Sequence, residues 1–114
     1  MEMKCTSARR VTIEQAKFGN VITDYPFLFG LYLSFRLGDG TYISDGGRNM
    51  VNISKDCKWS SDDRKNAIEK MVDDIRNILI DAKADDIHDL IGKPVEVELD
   101  GNTFKSFRIL TEVL

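Results

Sequence analysis

The sequence predicts an α+β domain: a twisted antiparallel sheet with one long helix and one short helix inserted before a C-terminal β-hairpin. Three observations support that class. Only Ser60 to Ala82 carries a sustained helical period, the segments on either side alternate with the period of strands, and Gly-rich turns punctuate them at hairpin spacing. With 114 residues the chain forms a single domain, 1–114, large enough for a true core but not for two. Its 42% hydrophobic and 31% charged content is that of a globular chain and excludes a disordered one.

The first strand is expected near Arg9–Glu14, with a shorter strand or a loop after it up to Val21. Ile22 to Pro26 is a connector, because Pro26 restricts Tyr25 and cannot donate to a ladder. Leu31, Leu33, Phe35 and Leu37 alternate with Tyr32, Ser34 and Arg36, the pattern of a half-buried strand. At Gly38-Asp39-Gly40, a two-residue loop would oppose Phe35 to Ser44 and mix the faces. A three-residue loop with Gly40 left-handed instead pairs Leu37 with Thr41, Arg36 with Tyr42 and Phe35 with Ile43. That register sets Arg36 beside Tyr42 on the outer face. Asp45-Gly46-Gly47-Arg48-Asn49 is a turn, and Met50, Val51 and Ile53 form a short strand.

In the long helix, Ala67, Ile68, Met71, Val72, Ile75, Ile78, Leu79 and Ala82 recur at three- and four-residue steps and form one apolar stripe. Ser60 or Ser61 caps the first turn, where Asp62 and Asp63 complement the helix dipole. Ala84 to Ile91 is the short helix, capped by Asp85 and stopped by Gly92, and Pro94 opens the next strand. Val95, Val97 and Leu99 face the core, Asp100-Gly101-Asn102 turns the chain, and Thr103 to Leu114 is the last strand.

Composition excludes several functions. A net charge of −3 argues against a coat for duplex nucleic acid, although local basic spots such as Arg9–Arg10 survive that argument. No apolar run reaches membrane-span length and MEMKCTSARR lacks a signal-peptide core, so a cytoplasmic protein with no membrane partner is expected. One histidine and two distant cysteines offer no metal-ligand spacing. His88 is expected to be a solvated surface histidine, and Cys5 and Cys57 inert thiols. The acidic pairs Asp62–Asp63, Asp73–Asp74 and Asp85–Asp86 point in divergent directions, as capping and solvating groups do. No catalytic residue, metal site or cofactor is therefore predicted, and the chain is not expected to be an enzyme.

Binding residues are a different matter. Strict alternation over the last strand puts Phe107, Ile109 and Val113 on the core face and Phe104, Arg108, Leu110 and Leu114 on the other. Such a second apolar face predicts a covering protomer, hence a homo-oligomer (dimer or higher), or a pocket. Arg108 beside Phe104 could hold an anionic aromatic ligand, the guanidinium taking phosphate and the ring a base. The alternative is a snorkelling arginine on a dimer face. Arg36 beside Tyr42, Arg48 in its Gly-rich turn and Trp59 before the helix complete the candidate set. The turn around Arg48 could equally be plain punctuation, and Trp59 a packing residue at the edge of the core.

The tail LIGKPVEVELDGNTFKSFRILTEVL is similar to a phage pattern of the type L-x-G-K-P-V-x-V, turn, aromatic-R-I-L. With the order of elements, it resembles the Thoeris anti-defence nucleotide-sponge family. The resemblance implies a non-enzymatic phage protein, working in the host cytoplasm, that sequesters a cyclic nucleotide signal of the cyclic ADP-ribose type. Some members also hold cyclic oligonucleotides. In that family a last-strand arginine and an aromatic residue grip adenine and phosphates, and only Arg108 matches by motif. A protein-binding inhibitor acting through the acidic helix face is the alternative.

Overall fold

The computed structural model describes residues 6–54 and 60–114. Trp59 and Cys57, and Cys5 at the N-terminus, lie outside the described residues.

Strand β1 (Thr6–Gly19) is one continuous strand, longer than its sequence pattern suggested. Its apolar alternation breaks because Glu14 is an extra residue: Ile13 opposes Phe35 while Gln15 opposes Ser34. Past this bulge the inward column continues as Ala16 and Phe18 instead of the odd-numbered positions. Strand β2 (Leu28–Arg36) pairs with β1 on one side. On its other side it pairs first with β4 (Asn49–Asn52) and then with β3 (Tyr42–Ser44), so these two form an interrupted edge. Strands β5 (Pro94–Asp100) and β6 (Thr103–Ile109) complete an antiparallel sheet of order β3-β2-β1-β5-β6, with β4 also on β2. The β2–β3 hairpin has the register that apolar pairing favours: Arg36 opposes Tyr42, Phe35 opposes Ile43, and Gly40 has φ +89°.

Gly30 is demanded by close approach. Its φ is +153°, and a Cβ there would stand 2.2 Å from the Asn49 carbonyl oxygen and 3.0 Å from Met71 Sδ. The missing side chain lets β4 and the helix close on β2.

Helix α1 (Ser61–Asp81) covers the concave side of the sheet. Ser60 caps it, its hydroxyl accepting from the Asp63 N–H at 3.1 Å. The C-terminus closes with Lys83 in the left-handed region, its N–H donating to the Ile80 carbonyl and that of Ala84 to the Leu79 carbonyl. Met71 and Ile75 are buried against Leu31, Leu33, Phe35, Val95 and Val97. Val72, expected on the same stripe, is 54% exposed, which narrows the buried seam. The second helix is a single 3-10 turn, His88–Leu90. Asp85 does not cap it; the N-cap position is Ile87 with no side-chain cap bond, and Asp86 just before it accepts from the Asp89 N–H at 3.1 Å. Gly92 follows with φ +88°.

The last strand differs most from expectation. It ends at Ile109, and the chain turns at Leu110 into a 3-10 turn, Thr111–Val113. Within it Leu99 opposes Phe104 whereas Glu98 opposes Ser106, which leaves Lys105 as an inserted residue. The bulge inverts the alternation, so Phe104 joins Phe107 on the core side. Phe104 stacks on Phe35 with ring centroids 5.7 Å apart, and Phe107 lies 5.3 Å from the same ring. Phe35 belongs to β2, separated from β6 by both β1 and β5, so these contacts require the sheet to curl strongly. Arg48 fastens the curl, its guanidinium donating from the β3–β4 turn to the Lys105 carbonyl. Phe104 and Leu110 pack within the protomer, so the apolar outer face that suggested a covering protomer is not formed by them.

Candidate anion-binding site

Two cross-strand rows on the convex face of the sheet carry arginines. In the first, Arg10 opposes Glu96, and Glu96 opposes Arg108. Arg108 Nε reaches Glu96 at 3.4 Å, and its two terminal nitrogens grip Glu112 at 3.1 and 3.3 Å. The hydrogen bond to Arg108 holds the Glu112 carboxyl below the usual carboxylate range, and Glu112 in turn raises the pKa of the guanidinium. Arg108 is therefore a cation whose fork is filled by the protein's own carboxylates. Phe104 does not accompany it, because the Lys105 bulge turns that ring into the core. The pairing of Arg108 with Phe104 expected from alternation is thus replaced by Arg108 with Glu96 and Glu112.

The second row is Thr12, Arg36 and Tyr42, with no acid in it. The Arg36 guanidinium makes no hydrogen bond or ion pair among the described residues, and Tyr42 is 60% exposed beside it. Arg10 lies diagonally across from Arg36 and is likewise without an ion pair there, since the carboxylate opposite it turns to Arg108. A cleft of about 550 Å³ is lined by Arg10, Thr12, Arg36, Gly38, Asp39 and Gly40, among others. Asp39 is its acid, and that carboxylate turns back on its own turn: Oδ1 accepts from the Thr41 N–H at 3.0 Å and from the Thr41 hydroxyl. The Thr41 bonds hold the Asp39 carboxyl below its ordinary pKa. Two guanidiniums with no ion pair within 4 Å among the described residues, although Glu96 stands opposite Arg10 and Glu112 lies within its electrostatic reach, can with Thr12 hold a phosphate, and the Tyr42 ring paired with Arg36 can stack a base.

Compared with protein-family models, curated proteins and solved structures, the chain matches none.

Arg48 and Arg108 both border a different cavity, of about 520 Å³, between α1 and β6. It is poorly suited to an anion. Asp74 and Asp81 line it, and both arginines already serve protein oxygens. Of the predicted residues, the structure thus leaves the Arg36 guanidinium free among the described residues, commits Arg48 and Arg108 to internal bonds, and packs the half-buried Phe104 against the core; Trp59 lies outside the described residues. Arg10 completes the cleft; its signal in the sequence was the Arg9–Arg10 basic spot, while the Thr12–Arg36 pairing that brings it beside Arg36 is visible only in the structure. No cluster of three or more His, Cys, Asp or Glu side chains able to hold a metal occurs among the described residues. No helix of those residues is long and apolar enough to cross a membrane.

One buried carboxylate stands outside these sites. Asp45 is 3% exposed; its Oδ1 accepts from the Gly47 N–H at 3.2 Å and its Oδ2 has no hydrogen-bond partner. Burial pushes its pKa up to about 6.

Proposed function

We propose that this chain is a non-enzymatic binding protein that sequesters a nucleotide-type signal. The reading follows the sponge proteins its C-terminal segment resembles, with action in the cytoplasm of an infected cell. The observation that carries it is Arg36, whose guanidinium has no protein partner among the described residues, lining one cleft with Arg10 and Thr12 and paired across the hairpin with the exposed Tyr42. An arginine left open beside an exposed aromatic ring suits a phosphate with an attached base, whereas a purely structural arginine is expected to find a carboxylate, as Arg108 does. The ligand-gripping role moves accordingly from Arg108 to Arg36.

Calorimetric titration with cyclic ADP-ribose isomers and cyclic oligonucleotides tests this. Wild type should bind at least one of them. Arg36→Ala should lose about ten- to a hundredfold in affinity, the equivalent of one charge-assisted bond. Arg36→Lys should also bind more weakly, because an ammonium cannot bridge two phosphate oxygens in parallel. Arg108→Ala should retain most of the binding. A wild-type protein that binds none of these compounds refutes the reading and leaves the protein-binding inhibitor in its place.

A further inference from the structure

An open strand edge and a buried amide meet at the cavity between α1 and β6. Strand β6 ends the sheet and has β5 on one side only. The Leu110 N–H donates to the Pro94 carbonyl at 3.0 Å, which makes Pro94–Leu110 a hydrogen-bonded position of the ladder. Antiparallel bonding alternates, so Glu96–Arg108 is the next such position and the Phe107 backbone points away from β5. The Lys105 carbonyl, two residues earlier on that outer side, is taken by Arg48. Nothing among the described residues takes the Phe107 N–H or carbonyl there.

Phe107 and Ile109 form one wall of this cavity of about 520 Å³, and Asn49 lines it from the start of β4. Asn49 is 7% exposed, and its Nδ2 has no hydrogen-bond partner among the described residues. On α1, Asp74, Ile78 and Asp81 follow at four- and three-residue steps down one flank. Asp74 is paired with Lys70, whereas Asp81 is exposed and has no ion pair among the described residues. Of the two cations at the cavity, Arg108 is gripped by Glu96 and Glu112. Arg48 has only a carbonyl, and with Asn49 and Asp74 it also borders a smaller cavity of about 180 Å³ that Asp81 does not line. Asp81 lies seven residues beyond Asp74, about 10 Å along the helix. The Arg48 and Asn49 end therefore offers donors, and the Asp81 end a carboxylate.

We propose that this groove takes an extended segment of another protein, which pairs with Phe107 at the β6 edge, gives Asn49 a carbonyl and sets a lysine or arginine against Asp81. The site is separate from the Arg36 cleft and does not rest on the nucleotide reading. A residue opposite Phe107 shares its concave face, so a basic side chain there is directed to the α1 flank, with its methylenes along Ile78 and Ile109. A free amine would use Asp81 but leave Phe107 and Asn49 unpaired. An added strand satisfies all three, with main-chain bonds giving affinity and the alternate side chain giving specificity.

The experiment is fluorescence anisotropy of the full chain with labelled, capped pentapeptides of sequence Val-Thr-Lys-Thr-Val. A peptide with glutamate in place of the lysine should bind at least about tenfold more weakly, since it sets like charges together. Asp81→Lys should reverse that preference, and because Asp81 is exposed its circular dichroism melt should match wild type. Methylating the backbone nitrogen of the peptide lysine should weaken binding by a similar factor, because it removes the bond to the Phe107 carbonyl. Asn49→Leu should also weaken it while the fold persists. No binding of the lysine peptide at millimolar concentration, equal binding of the glutamate peptide, or indifference to Asp81→Lys overturns the proposal. Full affinity of the methylated peptide, or spermidine competing as well as the peptide itself, overturns it in favour of a small-amine site.

Discussion

Asp45→Asn should make the protein more stable at neutral pH and no more stable in acid. The carboxyl is buried in the β3–β4 turn, one oxygen accepting from the Gly47 N–H and the other without a partner. Desolvation raises its pKa from 3.8 to about 6, against the weaker opposing pull of the Gly47 and Leu33 backbone and of Arg48. Because the folded-state value lies above the unfolded one, the native protein keeps its proton longer. The contribution of Asp45 is fully favourable below about pH 4 and is lost as pH rises through about 6. A difference of that size corresponds to about 3 kcal/mol above pH 6, at ~1.4 kcal/mol for each pH unit separating the two states. Asparagine resembles the protonated acid in shape and charge, so it removes the penalty without opening a cavity. Urea titrations at pH 7.5 should give Asp45→Asn a gain of about 1–3 kcal/mol, and at pH 4 a difference near zero. A loss of stability at pH 7.5 refutes the reasoning, because it would mean that the ionised carboxylate is held by favourable bonds.

Four further substitutions probe the packing. Gly30→Ala forces a Cβ against the Asn49 carbonyl oxygen at a positive φ, and should cost more than about 3 kcal/mol or prevent folding, as read by thermal melting. Ile75→Ala should cost about 2–5 kcal/mol in urea titration, whereas Val72→Ala, at an exposed position of the same helix, should stay within about 0.5 kcal/mol. Phe104→Ala should destabilise by about 3 kcal/mol, the lower end of the range for a phenylalanine in a core, because its ring stacks on Phe35. An Phe104→Ala variant as stable as wild type would restore that ring to the outer face.

What could be read from the sequence was whatever depends on near neighbours in the chain. The period of Met71, Ile75, Ile78 and Leu79 needs only the helical repeat, and the Ser60 cap needs only the three residues after it. The β2–β3 register was equally legible, because one turn of known length joins the strands and a single choice keeps Phe35 opposite Ile43. Gly40 and Gly92 announced their left-handed conformations through the turns they close.

The tertiary structure decided the rest. A strand's two faces follow from its alternation only until a residue is inserted, and nothing in TFKSFRI marks Lys105 as unpaired. Its bulge sent Phe104 to the core and separated it from Arg108. The Glu14 bulge likewise carried the inward column of β1 from Ile13 to Ala16. Which arginine is free was also beyond local pattern. Arg108 is filled by Glu96 from the neighbouring strand and by Glu112 from the turn that ends its own, whereas Arg36 has Thr12 and Tyr42 on either side. The type of residue is written in the chain, but a guanidinium's availability to a ligand depends on which carboxylate the folded sheet brings within reach.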